Sequence, residues 1–232
     1  MRLAIPLDLP SLDEALAFVQ DLSPRLEREP VMTDREWEQA VTAAVGRRDH
    51  TGLAALLHAQ LVPALVRAMI ALGDTVRHAM AASQGDPRAH RMALANLLEP
   101  TQQAVMQAGK ATWAGEHREG LQPGHAGPSR PPKDWGRGVW DAMSGYMQLD
   151  IAGDDVHQAL AEDLGGALRR LTGPVRAAVE CVDRGQLDEL LAYPLQQALF
   201  GVYQVLASVR LYLLSTHMAE AELDRIGSVG PI

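Results

Sequence analysis

The chain has 232 residues, 47% of them hydrophobic but only 4% aromatic, and a formal net charge of −8. A core of Leu, Ala, Val and Met, mostly strong helix formers, points to an all-α fold. The acidic balance opposes general nucleic-acid binding, which needs a basic stripe to displace counterions. The single cysteine, Cys181, excludes an intramolecular disulfide.

At the start, residues 2–7 alternate weakly around Pro6, which suits a short extended arm or edge strand, with a matching segment at 146–151. The opening Pro6, Asp8 and Pro10 interrupt any signal-peptide apolar core, and no run reads as a bilayer span, so the expected location is the cytoplasm. Ser11-Leu-Asp-Glu14 is a capping box that opens a helix through Leu16, Val19 and Leu22. Thr33-Asp-Arg-Glu36 opens a second one through Trp37, Val41 and Ala44.

From Leu53, the series Leu57, Leu61, Leu65, Met69 and Leu72 holds one apolar stripe to about Ser83. Pro63 and Pro194 fall inside this pattern and its later counterpart, and each is expected to kink or divide its helix. Gly85-Asp86-Pro87 stops one helix and starts another through Met92, Leu98 and Val105. The region 115–138 has linker composition, with glycines at 115, 120, 124, 127, 136 and 138 and prolines at 123, 128, 131 and 132. Trp113, Trp135 and Trp140 flank it and are expected to anchor its ends.

An internal repeat organises the rest. Residues 44–57 align without a gap on 178–191, continuing through Leu61/Leu195, Leu65/Leu199 and Leu72/Leu206. A fainter echo pairs Leu7 with Leu149 and Asp21-Leu22 with Asp163-Leu164. The expected layout is therefore a helical bundle of two related halves: 1–114 with an extra helix, the linker 115–138, a second half at 139–226 and a tail at 227–232. Each half carries three repeat helices packed about an approximate two-fold axis.

The chemistry-bearing residues are sparse. Asp154 and His157 have the i, i+3 spacing that lets a carboxylate and an imidazole share a cation, and Asp74 with His78 has a similar helical spacing, as has His217 with Glu220. Asp154, His157, Asp74 and His78 are thus the candidate metal residues. Against them, the Glu-x-x-His pairs of a di-metal bundle are missing, and Asp154 also reads as a helix cap. His50 and His58 have no counterparts in the second copy, where Arg184 and Ala192 stand, and read as local surface residues. Asp49 and Asp183 are matched, and both read as helix N-caps.

No Gly-x-Ser-x-Gly elbow or phosphate loop is present, and Cys181 stands alone in an apolar helix, so no catalytic residue is assigned and no cofactor is expected. The opening Ile5-Pro-Leu-Asp-Leu-Pro-Ser-Leu-Asp-Glu-Ala-Leu16 resembles the first strand and helix of the orotidine-phosphate decarboxylase barrel. No lysine–aspartate cluster or alternating strands follow, so the resemblance is treated as coincidence. The linker's Arg118, Arg130, Lys133 and Arg137, with His117 and His125, are the basic residues of a nucleic-acid-binding alternative, offset by Glu116, Glu119 and Asp134.

The reading is a non-catalytic cytoplasmic helical interaction, adaptor or regulatory protein, with itself (a homodimer) or another protein as partner. The alternatives are a metal- or small-molecule-binding bundle acting as sensor or enzyme, and nucleic-acid binding through the linker. No membrane partner is expected.

Overall fold

A computed structural model describes residues 9–27, 32–81, 87–119, 154–184 and 192–228, and it is all-α, with no strand among them. The helices are α1 (Leu12–Leu22), α2 (Asp34–Gly46), α3 (His50–Met80), α4 (Pro87–Glu119), α5 (Asp154–Asp183) and α6 (Ala192–Ser228), with a 3-10 helix at Ser23–Glu27. The extended segments expected at 2–7 and 146–151 lie outside the described residues, as does most of the linker. Its first residues, 115–119, continue α4.

Local chemistry sets the helix starts. Both capping boxes form: Ser11 accepts from the Glu14 N–H and Thr33 from the Glu36 N–H, and each glutamate accepts back from the cap backbone. These bonds hold the Glu14 and Glu36 carboxyls below the usual carboxylate range, the backbone N–H first among the causes. Asp49 caps α3 as expected, its Oδ1 accepting from the Gly52 N–H at 2.8 Å. Between α2 and α3, Arg48 takes a positive φ of 54°. Its N–H donates to Val45 O and that of Asp49 to Ala44 O, the paired bonds that close a helix end.

The four long helices form a closed ring: α3 packs on α4, α4 on α6, α6 on α5, and α5 back on α3. Their 30 to 37 residues make rods about 45 to 55 Å long. Pairs of contacts fix directions. Thr75 meets Thr101 and His78 meets His90, so α3 and α4 are antiparallel. His58 near the start of α3 lies by Asp183 at the end of α5, so these two are antiparallel as well. The short connection after Asp183 returns the chain as α6, and the ring alternates up and down throughout.

Leucines at ring-facing positions fill the interior. Leu57, Leu61, Leu65, Leu72, Leu98, Leu160, Leu164, Leu168, Leu171 and Leu206 are each at most 1% exposed. Burial of such side chains, at about 1.5 to 3 kcal/mol apiece, is what holds the ring together. The buried Thr75 and Thr101 hydroxyls meet at 2.8 Å and also reach the Ala71 and Leu97 carbonyls, so sliding α4 along α3 would strand them. On the outside, α1 crosses α3 and α5, where Gly73 admits Val19, and α2 covers α3 and α4 with Trp37 buried.

Several expectations change. The second half holds two described helices in place of three, because the stretch corresponding to α1 and α2 runs unbroken as α5. The faint upstream echo has an offset eight residues longer than the strong repeat, and the 3-10 helix after α1 lies in the first copy's extra length. Pro63 lies within a continuous α3, whereas Pro194 is the third residue of α6, where no intrahelical donor is lost. The matched leucines 61/195, 65/199 and 72/206 are all buried, which any two core helices would share. Nor is the packing symmetric, since α3 lies along α5 while α6 makes no comparable contact with α1 or α2. The expectation of no spanning run is also corrected: Thr51–Met80 and Leu195–Ala219 are long and apolar enough to cross a membrane by length and composition. The apolar windows of these two helices are 56% and 44% buried inside the bundle.

Candidate functional site

Three helices bring a histidine to one end of the ring. His78 lies two residues before the end of α3, His90 in the first turn of α4 and His157 in the first turn of α5. The His78 and His90 rings stack with centroids 4.6 Å apart and planes 4° from parallel. His157 meets His90 edge-on at 5.7 Å. Since α4 and α5 face each other across the ring and otherwise scarcely touch, a contact between their side chains lies over the bundle's interior. The histidines therefore plug this end of the core.

Their electrostatics are unusual for a surface cluster. Nε2 of His78 and Nε2 of His90 are buried and make no hydrogen bond. Such an atom forfeits about 1 to 3 kcal/mol relative to one with a partner. Burial, and then the neighbouring His78 and His157, hold the His90 imidazole below its ordinary value, toward the neutral form. His217 on α6 adds a further buried, unbonded nitrogen, Nδ1. It stands about two turns beyond Arg210 toward this same end, as Arg210 pairs with Glu99 at 2.9 Å and α6 runs opposite to α4.

Compared with protein-family models, with curated proteins and with solved structures, the chain matches none. Function must come from the site itself.

Of the four residues singled out for metal binding, His78 and His157 come together around His90. Asp74 does not join them: its carboxylate is exposed and pairs with Arg77 at 2.9 Å, one helical turn along α3. Asp154 begins α5, and its side chain lies outside the described ones. As placed, the ring nitrogens do not converge, and among the described residues no three His, Cys, Asp or Glu side chains are arranged to hold a metal ion. His90 went unnoticed in the sequence. Its contact with His78 depends on how α4 packs on α3, which has no local signal in the sequence.

The opposite end of the bundle carries charge. Asp183 is not an N-cap; it is the last residue of α5 and receives a bidentate pair from Arg25 at 3.0 and 2.9 Å. That hydrogen bond raises the Arg25 guanidinium further. His58 Nδ1, at the surface as expected, stands 4.0 Å from the same carboxylate. Cys181 is buried within α5, as expected of a small hydrophobe. The side chain of His50 and those of the linker residues Arg118, Arg130, Lys133, Arg137, His117 and His125 lie outside the described ones.

Proposed function

We propose that the protein is a non-catalytic helical interaction protein that self-associates through the outward face of α6. The observation behind this reading is a run of exposed apolar side chains on that helix: Leu211, Leu214 and Met218 are 44%, 37% and 71% exposed. Their i, i+3, i+7 spacing puts them on one stripe, and no Asp, Glu, Lys or Arg occurs between Arg210 and Glu220. A helix that presents apolar side chains on both faces, in a ring already closed, has one face left for a partner. A second copy is the economical occupant, since an isologous contact needs only this one surface.

Sedimentation equilibrium of the full chain at micromolar concentration tests the reading. Dimer is expected for the wild type, and monomer with unchanged helicity for the Leu211→Gln/Leu214→Gln/Met218→Gln variant. A monomeric wild type, or a triple variant that still dimerises, would remove its basis.

A further inference from the structure

We propose that His78, His90 and His157 form an acid-released latch: neutral, the three imidazoles hold the ends of α3, α4 and α5 together, and protonation opens this end of the bundle while the opposite end stays closed. The geometry carries it first. The His78 and His90 imidazoles lie 4.6 Å apart and 4° from parallel, with His157 edge-on to His90 at 5.7 Å. Uncharged aromatic groups pack this way, but two imidazolium ions at such a spacing repel each other, the more so where water is excluded. Each imidazole comes from a different helix, so what drives them apart parts the helix ends.

Hydrogen bonding is the second observation. Nε2 of His78 and Nε2 of His90 are buried and unbonded. A neutral imidazole carries one N–H and one lone-pair nitrogen, whereas the imidazolium carries two N–H donors and needs an acceptor for each. A buried cation without its acceptors is far costlier than a neutral group so placed, and opening the end brings those nitrogens to water. The third observation is position. His90 and His157 are each the fourth residue of their helix, where the free N–H groups present the positive end of the helix dipole to any charge they gain. Burial, and then His78 and His157, already hold His90 toward the neutral form.

Among the described residues, no carboxylate is one of the groups that act on the His90 charge. On α3, Asp74 is exposed and pairs with Arg77. On α4, Arg88 and Arg91 add positive charge on either side of His90. On α5, Glu162 accepts from Gln158, and Asp163 is exposed. On α6, His217 brings a further buried, unbonded nitrogen to this end. Asp13, Glu14 and Asp21 of α1, which packs on α3 and α5, are exposed, and Glu14 is held by Ser11. Asp86 and the side chains of Asp154, Asp155 and Glu220 lie outside the described ones.

The test is amide hydrogen exchange of the full chain, read by mass spectrometry at about pH 7.5 and about pH 5, on either side of the ordinary histidine value, and corrected for intrinsic rates. The informative amides are those of the last turn of α3 and the second turns of α4 and α5, since first-turn amides have no acceptor within their helix. Their protection should fall at least about tenfold at the lower pH, the change that one proton taken up on opening produces over one pH unit. Amides of α5 near Asp183 should keep theirs within about threefold. His90→Gln and His78→Gln cannot charge at the stack, and each should hold the loss under about threefold, with far-UV circular dichroism confirming the fold. His58→Gln should leave the wild-type loss unchanged. The proposal is overturned by wild-type protection that does not change with pH, or that falls equally at both ends. A full loss retained in either folded stack variant overturns it as well, so a His90 variant that fails to fold does not protect it.

Discussion

The two ends of the bundle solve the same problem in opposite ways. Each end must finish a ring of apolar helices with polar side chains. At one end Arg25, His58 and Asp183 gather in the open, about two-fifths exposed, with a bidentate guanidinium–carboxylate pair satisfying both charges. At the other, His78, His90 and His157 gather half-buried, and no carboxylate is among the groups that shift His90. In the first arrangement the guanidinium and the carboxylate bond each other, and the pair contributes less than about 1 kcal/mol at this exposure. The second leaves two ring nitrogens buried and unbonded, at about 1 to 3 kcal/mol each.

That contrast can be broken at several levels. The largest effect should be blind to it: Leu160→Ala near the histidines and Leu57→Ala near the ion cluster, both 1% exposed, should each cost about 2 to 5 kcal/mol in urea unfolding. A loss confined to one of them would mean the ends differ in packing and not in polar chemistry alone.

Next is pH. The folded-state His90 titrates below the unfolded value of about 6.5, burial being the first cause. Between the two values the unfolded chain binds more protons, so stability falls as pH is lowered through that window and is flat with respect to this group above it. His90→Gln should shallow the slope in thermal melts between pH 7 and 5, and an unchanged slope would contradict the assignment.

Arg48→Gly should come next, at about 1 kcal/mol stabilising, by relieving the left-handed backbone that closes α2. Smallest of all, Asp183→Asn should cost under about 1 kcal/mol because solvent and salt screen its pair with Arg25. A loss several times larger would promote that end from ornament to keystone.

The fold was legible wherever side chains speak to their own backbone. Ser11, Thr33, Asp49 and Pro87 mark helix starts that the structure keeps, since a cap is a contact over three residues. The leucine stripe from Leu53 likewise names the buried face of α3. What stayed hidden depends on distance in sequence. Asp183 resembles Asp49 in its neighbours, yet it ends a helix and answers Arg25, 158 residues away. The ring order of α3, α4, α6 and α5 has no local signature, since every long helix is apolar on one side. His78 and His157 were visible as helical neighbours of aspartates; of these, Asp74 answers Arg77, and the Asp154 side chain lies outside the described ones. His90 became meaningful only when the packing of α3 on α4 stacked its ring on His78.

The most direct measurement is a nitrogen–proton correlation spectrum of the histidine side chains of the full chain, recorded as the pH is lowered. The expected result is that the His90 ring stays neutral below the unfolded value of about 6.5, because burial and then its histidine neighbours oppose its charge. A His90 ring that protonates at or above that value would contradict its burial at the end of the bundle.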